Sequence, residues 1–252
     1  MFLTKLRSII STKRAWLLPL GALLVLTLWK YHGRPRFEFI PNDVAVTIPE
    51  GTNLADIDRL VSVAGIAAPH TLLTPTYLAS EGTLFPDTYR FNRGSSAKEI
   101  LARFEENFAK KCDASCAKAL ILASILEKEV RTRDDMRVVA GIIGKRLIAG
   151  MALQIDATVA YGVCYQEFIN GTYCDVSQVN IVDNIHRDSA YNTYTRAGLP
   201  AGPISNPGLV ALDAALHPES SDYWYYLSAK DGATIFSRTL AEHNRAKAKY
   251  LR

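Results

Sequence analysis

The chain has 252 residues, 48% of them hydrophobic and 21% charged, with a formal net charge of +4. This composition supports at least one core of domain size and excludes a disordered or low-complexity chain. Basic residues are concentrated only near the N-terminus, so no nucleic-acid partner is expected.

At that end Lys5, Arg7, Lys13 and Arg14 precede an apolar run from Ala15 to Trp29, closed by Lys30. Such a pattern is a signal peptide or a membrane segment. Trp29, Lys30, Tyr31 and His32 stand where a small-x-small cleavage site would be, so an uncleaved anchor over 15–30 is expected. The span is short: its apolar residues rise roughly 22 Å at 1.5 Å each, against ~30 Å of hydrocarbon, leaving Arg14, Trp16, Trp29 and Lys30 to bridge the difference. Lys30, Arg34 and Arg36 nearly balance the basic residues before the span, so orientation is weakly encoded.

After a Pro-containing linker over 32–35, Val44, Val46 and Ile48 alternate with Ala45 and Thr47 and read as a strand ending at the Pro49-Glu50-Gly51 turn. Asn53 and Asp56 make a capping box for a helix whose apolar face is Leu54, Ile57, Leu60, Val61 and Ala64, stopped by Gly65. Residues 66–80 carry no clear pattern. Glu81 to Phe91, with Phe85, Asp87 and Tyr89, reads as an exposed loop between short strands.

Helices are expected at about 96–110, 113–131 and 134–149, the last with Val138, Val139, Ile142, Ile143 and Leu147 inward and Gly150 as its stop. Leu153 and Ile155 alternate with Gln154 and Asp156, predicting a strand that puts the two polar side chains on one face. Residues 162–190 look like an irregular excursion. Then come Tyr191-Asn192-Thr193-Tyr194 and a Gly/Pro-rich loop from Gly198 to Gly208, with Pro207 suited to the first turn of a helix running to His217. Tyr223–Ala229 and Thr234–Ser237 read as a hairpin around Asp231-Gly232, and a helix from Leu240 to Leu251 closes the chain. The fold class is α+β.

Cys112 and Cys116 are four apart and Cys164 and Cys174 ten apart, which favours two local disulfides in an exported domain. The rival, a C-x3-C zinc half-site, lacks a matching second pair, and the histidines are scattered, so neither a metal nor a cofactor is expected.

Glu127 stands at the end of Leu120-Ile121-Leu122-Ala123-Ser124-Ile125-Leu126, a run too long and too Leu/Ala-rich for a strand. Placed so, it is either a solvated helix-end residue pairing with Arg131 one turn on, or a carboxyl kept protonated by a low-dielectric setting, as a general acid requires. Glycosidic cleavage needs such an acid and a way to handle positive charge at the anomeric carbon. Glu129, roughly 200° around the helix, is a poor second carboxylate; Asp156 and Asp87 are alternatives. Phe85, Tyr89, Gln154, Tyr191, Asn192 and Tyr194 are the stock from which a sugar site could be built. No G-x-S-x-G, Gly-rich phosphate loop, H-E-x-x-H or C-x-x-C occurs.

Several segments, in order, resemble the MltG (YceG-like) endolytic murein transglycosylases: Ile48–Gly51, Glu81–Phe91, Ala123–Glu129, Val139–Gly141 with Lys145–Leu147, Met151–Gly162, Tyr191–Tyr194, Gly198–Gly208 and His243–Arg245. The resemblance implies that Glu127 is the catalytic acid and base; the residues expected to bind substrate around it are Glu81, Phe85, Asp87, Tyr89, Gln154, Asp156, Tyr191, Asn192 and Tyr194. It further implies a LysM-like subdomain, here shortened to 31–80, ahead of an α+β catalytic domain over 81–252. The implied setting is the inner membrane, with 1–14 on the cytoplasmic side and the catalytic domain in the periplasm. The implied partners are peptidoglycan glycan strands and penicillin-binding protein synthases. The implied reaction cuts between N-acetylmuramic acid and N-acetylglucosamine and leaves a 1,6-anhydro end; a hydrolase of the same bond and an inactive glycan-binding scaffold are the competing readings. The chain departs from the family in Asp156-Ala157-Thr158, where proline usually stands in the middle, and in its cysteines.

Overall fold

The alternation of Val44, Val46 and Ile48 does form a strand, β1 (Asp43–Thr47), in the computed structural model, which describes residues 42–251. The expected anchor at 15–30, the segment ahead of it and the linker at 32–35 lie outside the described residues. Among the described residues no helix is long and apolar enough to cross a membrane.

α1 (Leu54–Val63) starts on the expected capping box, with the Asn53 side chain accepting from the Asp56 N–H, and ends where Gly65 takes a φ of +70°. The patternless stretch after it is organised by a side chain rather than by periodicity. Buried Asp58 accepts from the His70 N–H at 2.8 Å and the Leu72 N–H at 2.7 Å, and Thr74 then caps the short α2 (Pro75–Leu78). β2 (Thr88–Asn92) returns antiparallel to β1, Asp43 opposite Asn92 and Thr47 opposite Thr88.

That pairing corrects two expectations. A boundary at 80/81 would cut a sheet, and the compact unit that begins at Asn42 continues through the rest of the described chain. Nor is 81–91 an exposed loop: Glu81, Leu84, Phe85, Tyr89 and Phe91 are all buried. The apolar members belong to the core, with Tyr89 and Phe91 against Phe104. Glu81 is buried because its carboxylate accepts from the Leu54 N–H at 3.0 Å, the Tyr161 hydroxyl at 3.0 Å and the Asn206 amide at 2.7 Å.

α3 (Ala97–Lys111), α4 (Ala114–Glu129) and α5 (Arg133–Ile148) follow within a residue or two of expectation, each opened by a capping side chain: Ser96, Asp113 and Thr132. The Cys112–Cys116 disulfide staples the turn between α3 and α4.

The expected strand at 153–156 is absent. Gln154 has a φ of +54°, and Asp156 opens a helix, α6 (Asp156–Ile169). The physical reason is Thr193, whose carbonyl and hydroxyl take the Gln154 and Ile155 N–H groups at 3.2 and 2.9 Å, so the segment pairs with the Tyr191–Tyr194 loop. α6 thus claims the first part of the supposed excursion, and the Cys164–Cys174 disulfide ties it to the chain that leaves it.

After the short α7 (Ile181–Asn184), α8 (Leu209–Leu216) begins behind its N-cap Gly208, so Pro207 sits ahead of the cap and not in the first turn. β3 (Tyr225–Ser228) and β4 (Thr234–Ser237) form the hairpin, and α9 (Leu240–Tyr250) packs on it. α4 contacts α5, α6 and α8, which is why its sequence is apolar on nearly every side.

Burial pushes the Glu81 carboxyl up to about 7, against the three donors that hold it down. Its folded value lies above the ordinary one, so its contribution to stability is present at low pH and is lost as pH rises from about 4.5 to about 7. Glu81→Gln is expected to remove that part of the pH slope and, by bringing an amide donor among donors, to destabilise the fold by about 2 kcal/mol. Urea titrations at pH 5 and pH 7 read both effects; an unchanged slope would contradict the assignment.

Candidate active site

Glu127 leaves the last turn of α4 beside a cavity of about 720 Å³ lined also by Glu129, Gln154, Asp156, Tyr194 and residues of the hairpin and α9. Its surroundings come from two distant segments, one at Glu50–Gly51 and one ending at Gly208. The Gly208 N–H, at the N-terminus of α8, donates to Oε2 at 3.0 Å. The Gly51 backbone lies so close that a Cβ there would stand 3.2 Å from Glu127 Cγ, and Gly51 already holds a φ of +75° that only glycine adopts freely. The carboxylate of Glu50 lies against Gly208.

The loop that carries Gly208 is fixed to α4 one turn before Glu127. Ser124, fully buried, accepts from the Ile204 N–H at 3.1 Å, while the Ser205 hydroxyl donates to the Ser124 carbonyl at 3.0 Å. A larger residue at 124 would hold this loop off the helix.

Burial pushes the Glu127 carboxyl above the ordinary glutamate value. The Gly208 N–H opposes this, the Glu50 charge adds to it and Lys128 opposes it. Arg131, the expected partner, makes no ion pair with Glu127; its guanidinium lies over Gly232 in the hairpin turn.

Glu129, set aside on helical geometry, lines the same cavity because α4 ends there and the cavity wraps round its last turn. Burial pushes its carboxyl up to about 7, with hydrogen bonding from Tyr226 opposing and the Asp156 charge adding. Asp156 in turn accepts a hydrogen bond from the Tyr194 hydroxyl. Gln154 and Asp156 therefore reach one cavity as expected, through a left-handed residue and a helix start instead of a strand.

The other expected sugar-binding residues lie elsewhere. Phe85 and Tyr89 are core residues, and the Tyr89 hydroxyl donates to the Phe85 carbonyl. Asp87 is exposed and accepts from Asn107 at 3.0 Å. Tyr191 packs its ring on Tyr161 and Tyr165, 4.8 Å from each, and Asn192, 1% exposed, spends its amide on the carbonyls of Ile185 and Arg187. Of this group only Gln154, Asp156 and Tyr194 line the cavity with Glu127.

The sequence profile of the YceG-like family matches residues 31–249. The chain belongs to that family. Over 182 residues it is 36% identical to the endolytic murein transglycosylase of Bacillus subtilis (strain 168), a stretch that is 68% of this chain and 48% of that protein. It is 28% identical over 182 residues to the endolytic murein transglycosylase of Streptococcus pneumoniae serotype 2, which is 68% of this chain and 32% of that one. The chain thus spans only half or less of either relative's length. A YceG-like protein of Listeria monocytogenes solved at 2.6 Å has the same fold, with a TM-score of 0.67 and 29% identity over 90% of this chain and 81% of that one.

The residues around Glu127 that periodicity missed, Glu50, Gly51 and Gly208, fall inside the YceG-like segments Ile48–Gly51 and Gly198–Gly208. Order along the chain marked them; their proximity needed the fold. A carbon-13 titration of the Glu127 carboxyl should give a midpoint above the ordinary glutamate value that moves down in Glu50→Gln and up in Lys128→Met. A midpoint indifferent to Glu50 would contradict this electrostatic account.

Proposed function

We propose that this chain is an endolytic peptidoglycan lytic transglycosylase that cuts between N-acetylmuramic acid and N-acetylglucosamine within glycan strands and leaves 1,6-anhydro ends. The observation that carries the reading is the Glu127 carboxyl itself, half-buried at the end of an apolar helix, pushed up by burial and opening on a cavity of about 720 Å³. The names of the Bacillus and Streptococcus relatives support the substrate class.

In this mechanism Glu127 gives its proton to the glycosidic oxygen as the bond to the muramic C1 breaks. The resulting carboxylate takes the proton of the C6 hydroxyl while O6 closes on C1, so the acid is regenerated and no water enters. With the Gly208 N–H on Oε2, Oε1 is the oxygen left to exchange protons. One donor also steadies the carboxylate in mid-cycle without holding the resting carboxyl ionised. Gln154, Asp156 and Tyr194 orient the sugar rings.

In the same proposal the run at 15–30 anchors the chain in the inner membrane, the cavity faces the periplasm, and β1 with α1, within 31–80, is the shortened LysM-like element. The paired cysteines suit that oxidising compartment. Penicillin-binding protein synthases are the partners, and cutting nascent strands ends their elongation. A second reading, hydrolysis of the same bond with Asp156 as base, draws on the place of Asp156 in the same cavity; its product is one water heavier.

Incubated with sacculi, the full chain should release anhydromuropeptides, and Glu127→Gln should lower that release by about 10²- to 10⁴-fold with the circular dichroism spectrum unchanged. Mass spectrometry of the digest reads product and rate together. Undiminished turnover in the variant would overturn the role of Glu127.

A further inference from the structure

The cavity beside Glu127 has a cationic wall that this mechanism does not use. Arg146, on α5, is only 7% exposed yet lines the cavity. Its Nε donates to the Trp224 carbonyl and its Nη1 to the Leu153 carbonyl, both at 2.8 Å, and the guanidinium lies 5.1 Å from the centre of the Tyr225 ring. Among the described residues no carboxylate stands within ion-pairing distance of it. Buried charges are ordinarily paired, because an uncompensated one is costly. Here the protein supplies two neutral carbonyls and leaves the charge to the cavity.

His243 lines the same wall. It is 8% exposed, stacks on the same Tyr225 ring at 5.2 Å, and its Nδ1 is buried with no hydrogen-bond partner. A bare ring nitrogen costs less as a lone pair than as an unmet N–H, so the proton of the neutral ring belongs on Nε2. Lys247 lies one turn further along α9, on the same helix face, and also lines the cavity without an ion pair among the described residues. After burial, the influences that hold the imidazole neutral are the charges of Lys247 and Arg146, which places the three groups together.

We infer that Arg146, His243 and Lys247 form a carboxylate subsite for the anionic group borne by the muramyl residues of the strand, either the lactyl carboxyl of a bare strand or the carboxylates of a peptide stem. This rests on the glycan-strand reading above. It also gives the wall a physical purpose. The Asp156 charge, which acts on Glu129 within the same cavity, opposes entry of a carboxylate-bearing strand, and cationic groups offset that repulsion. Carboxylate matches the donors available: a guanidinium, an imidazole N–H and an ammonium.

The test measures binding in detergent to the full-chain Glu127→Gln protein, whose turnover is slowed about 10²- to 10⁴-fold. The probes are a neutral chitin hexasaccharide, glycan strands freed of peptide by an amidase, and strands carrying tetrapeptide stems. Lys247→Ala on that background should weaken one or both carboxylate-bearing probes about 3- to 10-fold, leave the chitin probe unchanged, and be rescued by Lys247→Arg. Whichever probe loses affinity identifies the carboxylate, and either result supports the subsite. Equal loss on the neutral probe, no loss on either carboxylate probe, or no binding of carboxylate-bearing strands by the parent would overturn it. Should the unmutated chain leave sacculi intact while this Lys247-dependent preference stands, the catalytic reading falls and the subsite remains.

Discussion

The arrangement around Glu127 depends on one buried amide. Asn206 is fully buried, and every hydrogen-bonding capacity of its side chain is used: Nδ2 donates to Glu81 and to the Thr52 carbonyl, and Oδ1 accepts from the Gly82 and Leu84 N–H groups. Its own backbone exchanges hydrogen bonds with Thr52 and Gly51. Three segments far apart in sequence, 51–54, 81–84 and 203–208, are thereby held in one register. Gly51 and Gly208, the two backbone neighbours of Glu127, sit on two of them. A buried polar network of this kind is stabilising only when complete, so losing one member leaves several unmet groups at once.

With the position fixed, the electrostatics of Glu127 are a balance. Burial and the Glu50 charge favour the protonated carboxyl; one N–H and Lys128 favour the ionised one. An acid that must give up a proton and take another back within a single turnover needs both sides of that balance. Glu129, in the same cavity, accepts hydrogen bonds from the Tyr226 side chain and the Ala157 backbone and faces the Asp156 charge, whereas Glu127, among the described residues, accepts only from the Gly208 N–H. The two carboxyls are thus chemically distinct despite sharing one helix end.

Much of the architecture is legible from local rules. Capping boxes at Asn53 and Ser96, the Gly65 stop, the apolar run of α4 and the closing hairpin all follow from short-range chemistry. What escapes are features set by distant partners. Asp58 organises 66–80 through backbone N–H groups, which leaves no periodic trace. Thr193 turns 153–156 from a strand into a helix start. Glu81 and Asn192 have the composition of binding residues and serve as internal scaffolding, because a buried polar side chain looks the same in sequence whether it holds a ligand or a loop. The cationic wall of Arg146 and His243 is hidden for the same reason: its members come from helices nearly a hundred residues apart in sequence.

The central claim is that one carboxyl, held at a fixed place and able to cycle its proton, suffices because the substrate's own C6 hydroxyl is the nucleophile. Digestion of sacculi in water enriched in oxygen-18 tests it most directly. The account predicts cleaved muramic ends that carry no label, since the closing oxygen comes from the sugar. One labelled oxygen at each new end would mean that water attacks, and would contradict it.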